Sequence, residues 1–265
     1  MSPSPLQIAV DVGNTEIVVG LVQGGPGDLE VLAHWRMSTP VARTADEFEQ
    51  TLASFLDRGG FDAGSTDGAV IGSVVPAVTP LLAEPLARLC GRPARIIDGA
   101  EGLGVELDVE EPRTVGADRI VNTLAAKVLY GRDTVVVDLG TATTFDCISA
   151  DGVFVGGVIA PGVLSGLRWL GQGTAKLPSV GFRRPERVIG RRTEACMESG
   201  VFYAAVDSID GIVGRILEEW ARPDALVIAT GGFAGVVTPH SKAVERHEPH
   251  LTLFGLALAG NLLGS

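Results

Sequence analysis

The chain has 265 residues, with 21 Lys and Arg against 32 Asp and Glu and a formal net charge of −11. That balance argues against a general nucleic-acid binder, which needs a surplus of cations to displace phosphate counterions. At 46% hydrophobic and 20% charged residues, a substantial core can be buried and bulk disorder is disfavoured.

Met1 to Gln7 has no basic region followed by an apolar stretch, so no secretory leader is expected. Ile8 to Val22 (IAVDVGNTEIVVGLV) reads as two β-rich runs joined by a turn, and Leu29 to Trp35 as a third strand. Thr44 to Leu56 reads as an amphipathic helix: Thr44 with Glu47 is a capping-box signature, and Phe48, Leu52, Phe55 and Leu56 fall on one face. Ala69 to Val75 suits a buried strand, after which Pro76 or Pro80 opens a helix. Arg95 to Ile97 is a short strand before a loop rich in Gly and acids, Asp98 to Pro112, and a linking helix is expected near Arg119 to Leu129. Strands follow at Thr134 to Asp138, Thr143 to Ser149 and Val153 to Ile159. A long helical stretch from Thr193 to Trp220, a strand at Ala225 to Ala229 and a helix at Phe254 to Leu263 complete the order. The apolar tail, Leu251 to Leu263, is interrupted by Gly255, Gly260 and Asn261 and is shorter than the roughly 20 residues that cross a bilayer. Cys90, Cys147 and Cys196 lie far apart in segments that read as core, without disulfide or zinc spacing. This fits a reducing cytosol, so a cytoplasmic protein that does not engage a membrane is expected.

Val135 to Ile148 (VVVDLGTATTFDCI) repeats the pattern of the first hairpin, about half the chain later. Three strands followed by alternating helix and strand, twice over, resemble the paired ribonuclease-H-like domains of the actin, sugar kinase and heat-shock ATPase superfamily. The expected fold class is therefore α/β, two ribonuclease-H-like domains (actin-like ATPase fold) with a nucleotide cleft between them. The division is placed at residues 1–115 and 116–265.

Each repeat carries an Asp-x-Gly turn with a physical use. In Asp11-Val12-Gly13-Asn14-Thr15, glycine lets backbone approach an anion, successive N–H groups can cradle phosphate oxygens, and Asn14 and Thr15 add donors. A carboxylate such as Asp11 is tolerable beside phosphates when a cation lies between them, which points to Mg²⁺. The same residues would also suit a plain hairpin turn. The second turn, Asp138-Leu139-Gly140-Thr141, makes a shared triphosphate site the better reading, and Gly231-Gly232 after a strand suits backbone lying against a flat base. Neither a Walker A loop nor a Rossmann fingerprint is present in the right context. Gly116-Ala117-Asp118-Arg119 opens a helix: a helix N-terminus favours an anion, Arg119 offers a planar donor fork, and Asp118 could accept the proton of an attacking hydroxyl. An acidic residue complementing the helix dipole is the structural alternative. The 35 glycines, about twice the ordinary share of roughly 7%, acquire a partial explanation in these turns.

DVGNT near the amino terminus, PxxxGADR from Pro112 to Arg119, DLGTAT from Asp138, GGVIAPG at Gly156 to Gly162 and IGRRTEACMESG at Ile189 to Gly200 together resemble the type III pantothenate kinase family across essentially the whole chain. The resemblance implies ATP-dependent phosphorylation of pantothenate to 4′-phosphopantothenate, the first step of coenzyme A biosynthesis. It implies ATP with Mg²⁺, a monovalent cation (K⁺ or NH₄⁺), and a homodimer whose pantothenate site lies at or near the subunit interface. It implies ATP contacts at Asp11, Val12, Gly13, Asn14, Thr15, Glu16, Ile17, Val18 and Thr141, and acceptor contacts at Gly116, Ala117, Asp118, Arg119 and Thr193. Asp118 is the implied general base and Asp138 the implied monovalent-cation ligand, while Thr193 would otherwise be a helix N-cap. Two positions depart from the family pattern: Val109 and Glu111 stand where the family commonly has Tyr and Asn. The alternatives are a kinase for another small hydroxylated substrate, which would not predict the GADR and IGRRT segments, and a non-catalytic nucleotide-binding regulatory or accessory protein of the same fold.

Overall fold

The computed structural model describes residues 4–173 and 180–264; residues 1–3, part of the stretch expected to lack a leader, lie outside the described residues. The elements in chain order begin with β1 (Leu6–Val12), β2 (Glu16–Gln23), β3 (Glu30–Ser38), α1 (Ala45–Gly59), β4 (Ala69–Ser73), α2 (Thr79–Cys90), β5 (Arg95–Ile97), β6 (Glu106–Leu107) and α3 (Ala117–Tyr130). They continue with β7 (Thr134–Leu139), β8 (Ala142–Ile148), β9 (Val153–Pro161), α4 (Val163–Gly173), α5 (Thr193–Glu219), β10 (Leu226–Thr230), α6 (Ala234–Val237), β11 (Arg246–His247) and α7 (Leu251–Leu263). The chain divides into two compact units, Met1–Gly131 with Asp151–Phe154 and His250–Ser265, and Arg132–Ala150 with Val155–Pro249.

In the first unit the sheet runs β3-β2-β1-β4-β5. β1 pairs antiparallel with β2 and parallel with β4. Residues alternate between faces of a strand, and both faces of β1 are covered. Ile8, Val10 and Val12 pack with Phe48, Leu52, Leu82 and Leu86 of α1 and α2, whereas Ala9 packs with Val121 and Leu124 of α3 and Leu256 of α7. The capping box at α1 is present in both directions, and Gly60 ends that helix in the left-handed conformation at φ 76°, where a Cβ would be strained. α7 is apolar nearly all round, the pattern of a helix buried on every side. It approaches α3 so closely at Gly255 that a Cβ there would lie against the Val121 carbonyl, 2.6 Å from its carbon.

This packing moves the division expected at residue 115. α3 contributes Ile120, Val121 and Leu124 to the same apolar cluster as α7, so the first compact unit extends to Gly131 and takes back the helix from residue 251 onward.

In the second unit, β11, β10, β7, β8 and β9 are adjacent in that order. β7 pairs antiparallel with β8 and parallel with β10. Val135, Val137 and Leu139 of β7 pack with Phe202, Val206, Ile209 and Val213 of α5, a stripe at helical spacing. Asp210 of α5 accepts hydrogen bonds from Ser241 Oγ and from the N–H groups of Lys242 and Ala243, at 2.5, 3.0 and 3.1 Å. Burial alone would raise the Asp210 carboxyl, but these donors hold it below its ordinary range.

The expected elements occur with shifted ends, while β6, α4, α6 and β11 are not anticipated by the sequence. Cys90 and Cys147 are buried as expected; Cys196 is exposed, because it lies outside the buried stripe of α5.

Candidate active site

The first Asp-x-Gly turn is the β1–β2 hairpin. Gly13 N–H donates to Glu16 O at 3.0 Å, and the turn itself is braced by the residue just past β3: Thr39 N–H donates to Thr15 O and Thr39 Oγ1 to Gly13 O, at 3.0 and 2.7 Å. Asn14 and Glu16 are exposed and Asp11, Gly13, Thr15 and Val18 half-buried. Val12 and Ile17 turn their side chains fully into the core, so within Asp11 to Val18 these two can offer a ligand only their peptide groups.

Gly116-Ala117-Asp118-Arg119 is brought to the same end of that sheet. Asp11 and Val12 of β1 stand opposite Gly72 and Ser73 of β4. The β4 end in turn receives the motif: a Cβ on Gly72 would sit 3.7 Å from Ala117 Cβ, and one on Gly116 only 3.1 Å from Val74 Cγ1. Gly116 is the N-cap of α3, so the helix begins at Ala117 and Asp118 stands in its first turn. The Asp118 carboxylate folds back over Gly116, where a Cβ would strike its Oδ1, and accepts a hydrogen bond from Arg119 N–H at 2.9 Å. Burial pushes the Asp118 carboxyl up, opposed by that N–H and by the Arg119 guanidinium. The guanidinium lies over the Phe154 ring, 4.8 Å from its centroid. A half-buried carboxyl of raised basicity beside a cation, at the carboxyl ends of two parallel strands, is an arrangement suited to accepting a proton.

In the second unit three glycine motifs converge on one turn. Gly140 N–H donates to Ala142 O at 3.0 Å, closing the β7–β8 hairpin at Thr141. Gly231, at φ 90°, lies against this turn from the end of β10: a Cβ would strike Asp138 Oδ1 and come within 2.8 Å of the Leu139 backbone. Gly162, just past β9, lies against its other side, where a Cβ would strike Thr141 O and come 2.7 Å from Thr141 C and 2.9 Å from Gly140 O. The GGVIAPG segment thus has a physical reason to end in glycine. In the sequence the segment carries only a family pattern, because the backbone it meets is distant along the chain.

Thr193 is the first residue of α5 and is exposed; the N-cap is Arg192, without a side-chain cap bond. The N-cap alternative for Thr193 is thereby corrected, since the backbone leaves the extended conformation one residue earlier. Gly190 packs against the α5 first turn, 2.5 Å from Cys196 N for an added Cβ. Val109 is half-buried and Glu111 exposed.

The family model described as type III pantothenate kinase matches residues 7–215. A type III pantothenate kinase of Moorella thermoacetica is 41% identical over 251 residues, covering 95% of this chain and 97% of its own. Another, of Streptomyces coelicolor, is 42% identical over 258 residues, covering 95% and 96%. Among solved structures, the ethanolamine utilization protein EutJ of Carboxydothermus hydrogenoformans matches with a TM-score of 0.56 at 17% identity over 97% of this chain and 90% of that one. Component A of the (R)-2-hydroxyglutaryl-CoA dehydratase of Acidaminococcus fermentans matches with a TM-score of 0.50 at 14% identity over 98% and 99%. These likenesses carry the fold alone, which is α/β with two mixed sheets, of the actin-like ATPase class. With its motifs in place along the whole of the matched span, the chain belongs to the type III pantothenate kinase family.

Proposed function

We propose that this chain transfers the γ-phosphoryl group of ATP to the primary hydroxyl of pantothenate, giving 4′-phosphopantothenate and ADP at the entry to coenzyme A biosynthesis. The observation that carries the reading is the half-buried Asp118 carboxyl in the first turn of α3, raised by desolvation and adjoining Arg119, in a chain that matches this family over most of its length.

Phosphoryl transfer asks for positioning and charge neutralisation more than for covalent chemistry. The acceptor hydroxyl oxygen forms its bond to the γ-phosphorus as the bond to the β-phosphate oxygen breaks, and the hydroxyl proton passes to Asp118. An alcohol is a weak acid, so the proton moves late, and a carboxylate more basic than usual is the better acceptor. Arg119 takes the acceptor's carboxylate through its planar fork, aided by the positive end of α3. Gly116 and Ala117 let the acceptor approach the helix start, and Thr193 is a further acceptor contact in this reading. The hairpin from Asp11 to Val18 and Thr141 bind the nucleotide phosphates, with Gly231 and Gly232 beside the base.

The residues present fit a divalent ion carried by ATP rather than a cage of the protein's own. Among the described residues no group of three or more His, Cys, Asp or Glu could hold a metal, and Mg²⁺ on a nucleotide needs only one or two carboxylates. Asp11 would hold it, and the ion supplies neutralisation of phosphate charge. Asp138, whose carboxylate lies in a niche that only a glycine at 231 leaves open, would hold K⁺ or NH₄⁺.

The chain acts as a homodimer in this reading. Ile159, Trp169, Val188 and Ile189 remain 66%, 68%, 64% and 82% exposed, more than isolated large apolar side chains require, and a second copy would cover them. A cytoplasmic setting is supported by three free cysteines; among the described residues no helix is long and apolar enough to cross a membrane.

Coupled ADP release with pantothenate tests the assignment. Turnover on pantothenate but not on hexoses is expected, rising with K⁺ or NH₄⁺, and Asp138→Ala should abolish that salt activation. Absence of turnover on pantothenate would sink the kinase reading, while an unchanged salt curve in the variant would remove Asp138 from its role. Separately, Gly162→Ala forces the Thr141 turn aside, because the obstructing atoms are backbone. Displacements of about 1 Å can cost up to roughly 100-fold, so kcat/KM for ATP is expected to fall about 10- to 100-fold, measured by steady-state kinetics with ATP varied. A wild-type value would show that this turn does not meet ATP.

A further inference from the structure

Phe154 is a large, fully buried ring, 2% exposed, yet among the described residues it falls outside the three apolar clusters that form the cores. Its face is occupied by a cation: the Arg119 guanidinium carbon stands 4.8 Å from the ring centroid, well within the range at which the negative face of an aromatic ring attracts a positive charge. The same residue also holds the chain that leads into the Gly116–Arg119 motif. β6 pairs with the start of β9 at Glu106 with Val153 and Leu107 with Phe154. Glu106 N–H donates to Gly152 O at 3.0 Å and Asp108 N–H to Phe154 O at 2.9 Å. Phe154 therefore clasps both ends of the segment from Asp108 to Arg119, by its carbonyl at one end and its ring at the other.

The backbone of Arg119 is fixed independently, through its N–H to Gly116 O at 3.1 Å and through its carbonyl, which accepts from Thr123 Oγ1 at 2.8 Å. What the helix cannot fix is a long side chain with several rotatable bonds. We propose that Phe154 is a positioning residue for the acceptor: its ring holds the Arg119 guanidinium in the orientation that receives the carboxylate of pantothenate, and so sets affinity for the acid rather than for ATP. The inference rests on the reading of Arg119 as the group that binds the acceptor carboxylate.

The test compares pantothenate with its alcohol analogue panthenol, in which a hydroxymethyl group replaces the carboxylate, as substrate or competitive inhibitor. Phe154→Leu is expected to raise the KM for pantothenate roughly 2- to 30-fold, the range one cation–π contact supplies, with the KM for ATP and the constant for panthenol nearly unchanged. Phe154→Tyr, which keeps the ring face, should retain the wild-type KM. In an Arg119→Gln background Phe154→Leu should add almost nothing, because coupled residues do not sum. Equal losses on pantothenate and panthenol, or additive losses in that background, would reduce Phe154 to a packing role and overturn the inference. If Phe154→Leu does not fold, pentafluorophenylalanine at position 154 keeps the ring while reversing its face potential, and should raise the KM for pantothenate alone; an unchanged KM overturns the inference. An unchanged KM in Arg119→Gln itself would instead overturn the reading of Arg119 on which the inference stands.

Discussion

Replacing Asp118 by Asn is expected to lower kcat by roughly 10²- to 10⁴-fold, the range that general-base catalysis supplies, with the KM for ATP little changed. The same substitution is expected to stabilise the fold at neutral pH. Desolvation raises the Asp118 carboxyl above its ordinary range, and the Arg119 N–H and guanidinium offset this only in part. A carboxyl whose folded value is raised binds more protons folded than unfolded. Wild-type stability therefore falls as pH rises from the unfolded value through the folded one, and stays reduced above it. Asparagine keeps the acceptor oxygen for the Arg119 N–H but has no charge to desolvate. The Tm advantage of Asp118→Asn should thus close towards acid pH, open through that window and persist at neutral pH, at about 2–4 °C per kcal/mol for a chain of this size. Thermal melts across pH, run beside turnover assays, read both effects. Near wild-type kcat would remove Asp118 from the chemistry, and a lower Tm at neutral pH would show that its partners hold it better than water does.

Gly255→Val should produce the largest loss of stability. A Cβ at residue 255 meets the Val121 carbonyl, 2.6 Å from its carbon and 3.0 Å from the Val121 Cβ. These atoms belong to the backbone and first branch of α3, so they yield only if the two helices part. Residues other than glycine favour a helix by up to about 1 kcal/mol, which offsets part of the cost. Overpacking of this kind costs about 1–3 kcal/mol, occasionally more, from a total of roughly 5–15 kcal/mol. Urea denaturation should show a lower midpoint with little change in slope. The contact lies just after the turn that carries Asp118 and Arg119, so turnover on pantothenate should fall as well. Retention of the wild-type midpoint would mean that α3 and α7 can separate freely.

Local signals make much of this fold readable in the sequence. Thr44 and Glu47 announced the start of α1, and the two Asp-x-Gly hairpins were visible because strand, turn and strand are contiguous. The candidate site was readable to the same depth: Gly116 to Arg119 could be placed at a helix start, and Asp138 beside a tight turn. What stayed hidden depends on partners distant in sequence. β6 is two residues in a loop rich in Gly and acids, and it exists because Val153 and Phe154 pair with it. α7 advertises burial through its composition, but nothing local says that Leu253 and Leu256 pack with α3 and β1. Gly162 stands in the sequence only within a family pattern, and Gly231 suits a turn or backbone against a flat base, whereas each is small because another backbone occupies the place of its side chain. Cys196 was misplaced for a related reason: the apolar run around it does not reveal which helix face is buried.

The return of α7 to the first unit also bears on biosynthesis. The cluster around Ala9, Val121 and Leu124 is completed by Leu253, Leu256 and Ala257, which leave the ribosome after the second unit. At roughly 5–20 residues per second, the first unit waits with that apolar face uncovered while the whole second unit is made. The second unit draws its β7–β8 hairpin, α5 and β10 from one almost continuous stretch and has no such delay. Maturation therefore runs against the order of synthesis, and the helix start that carries Asp118 gains its final support last.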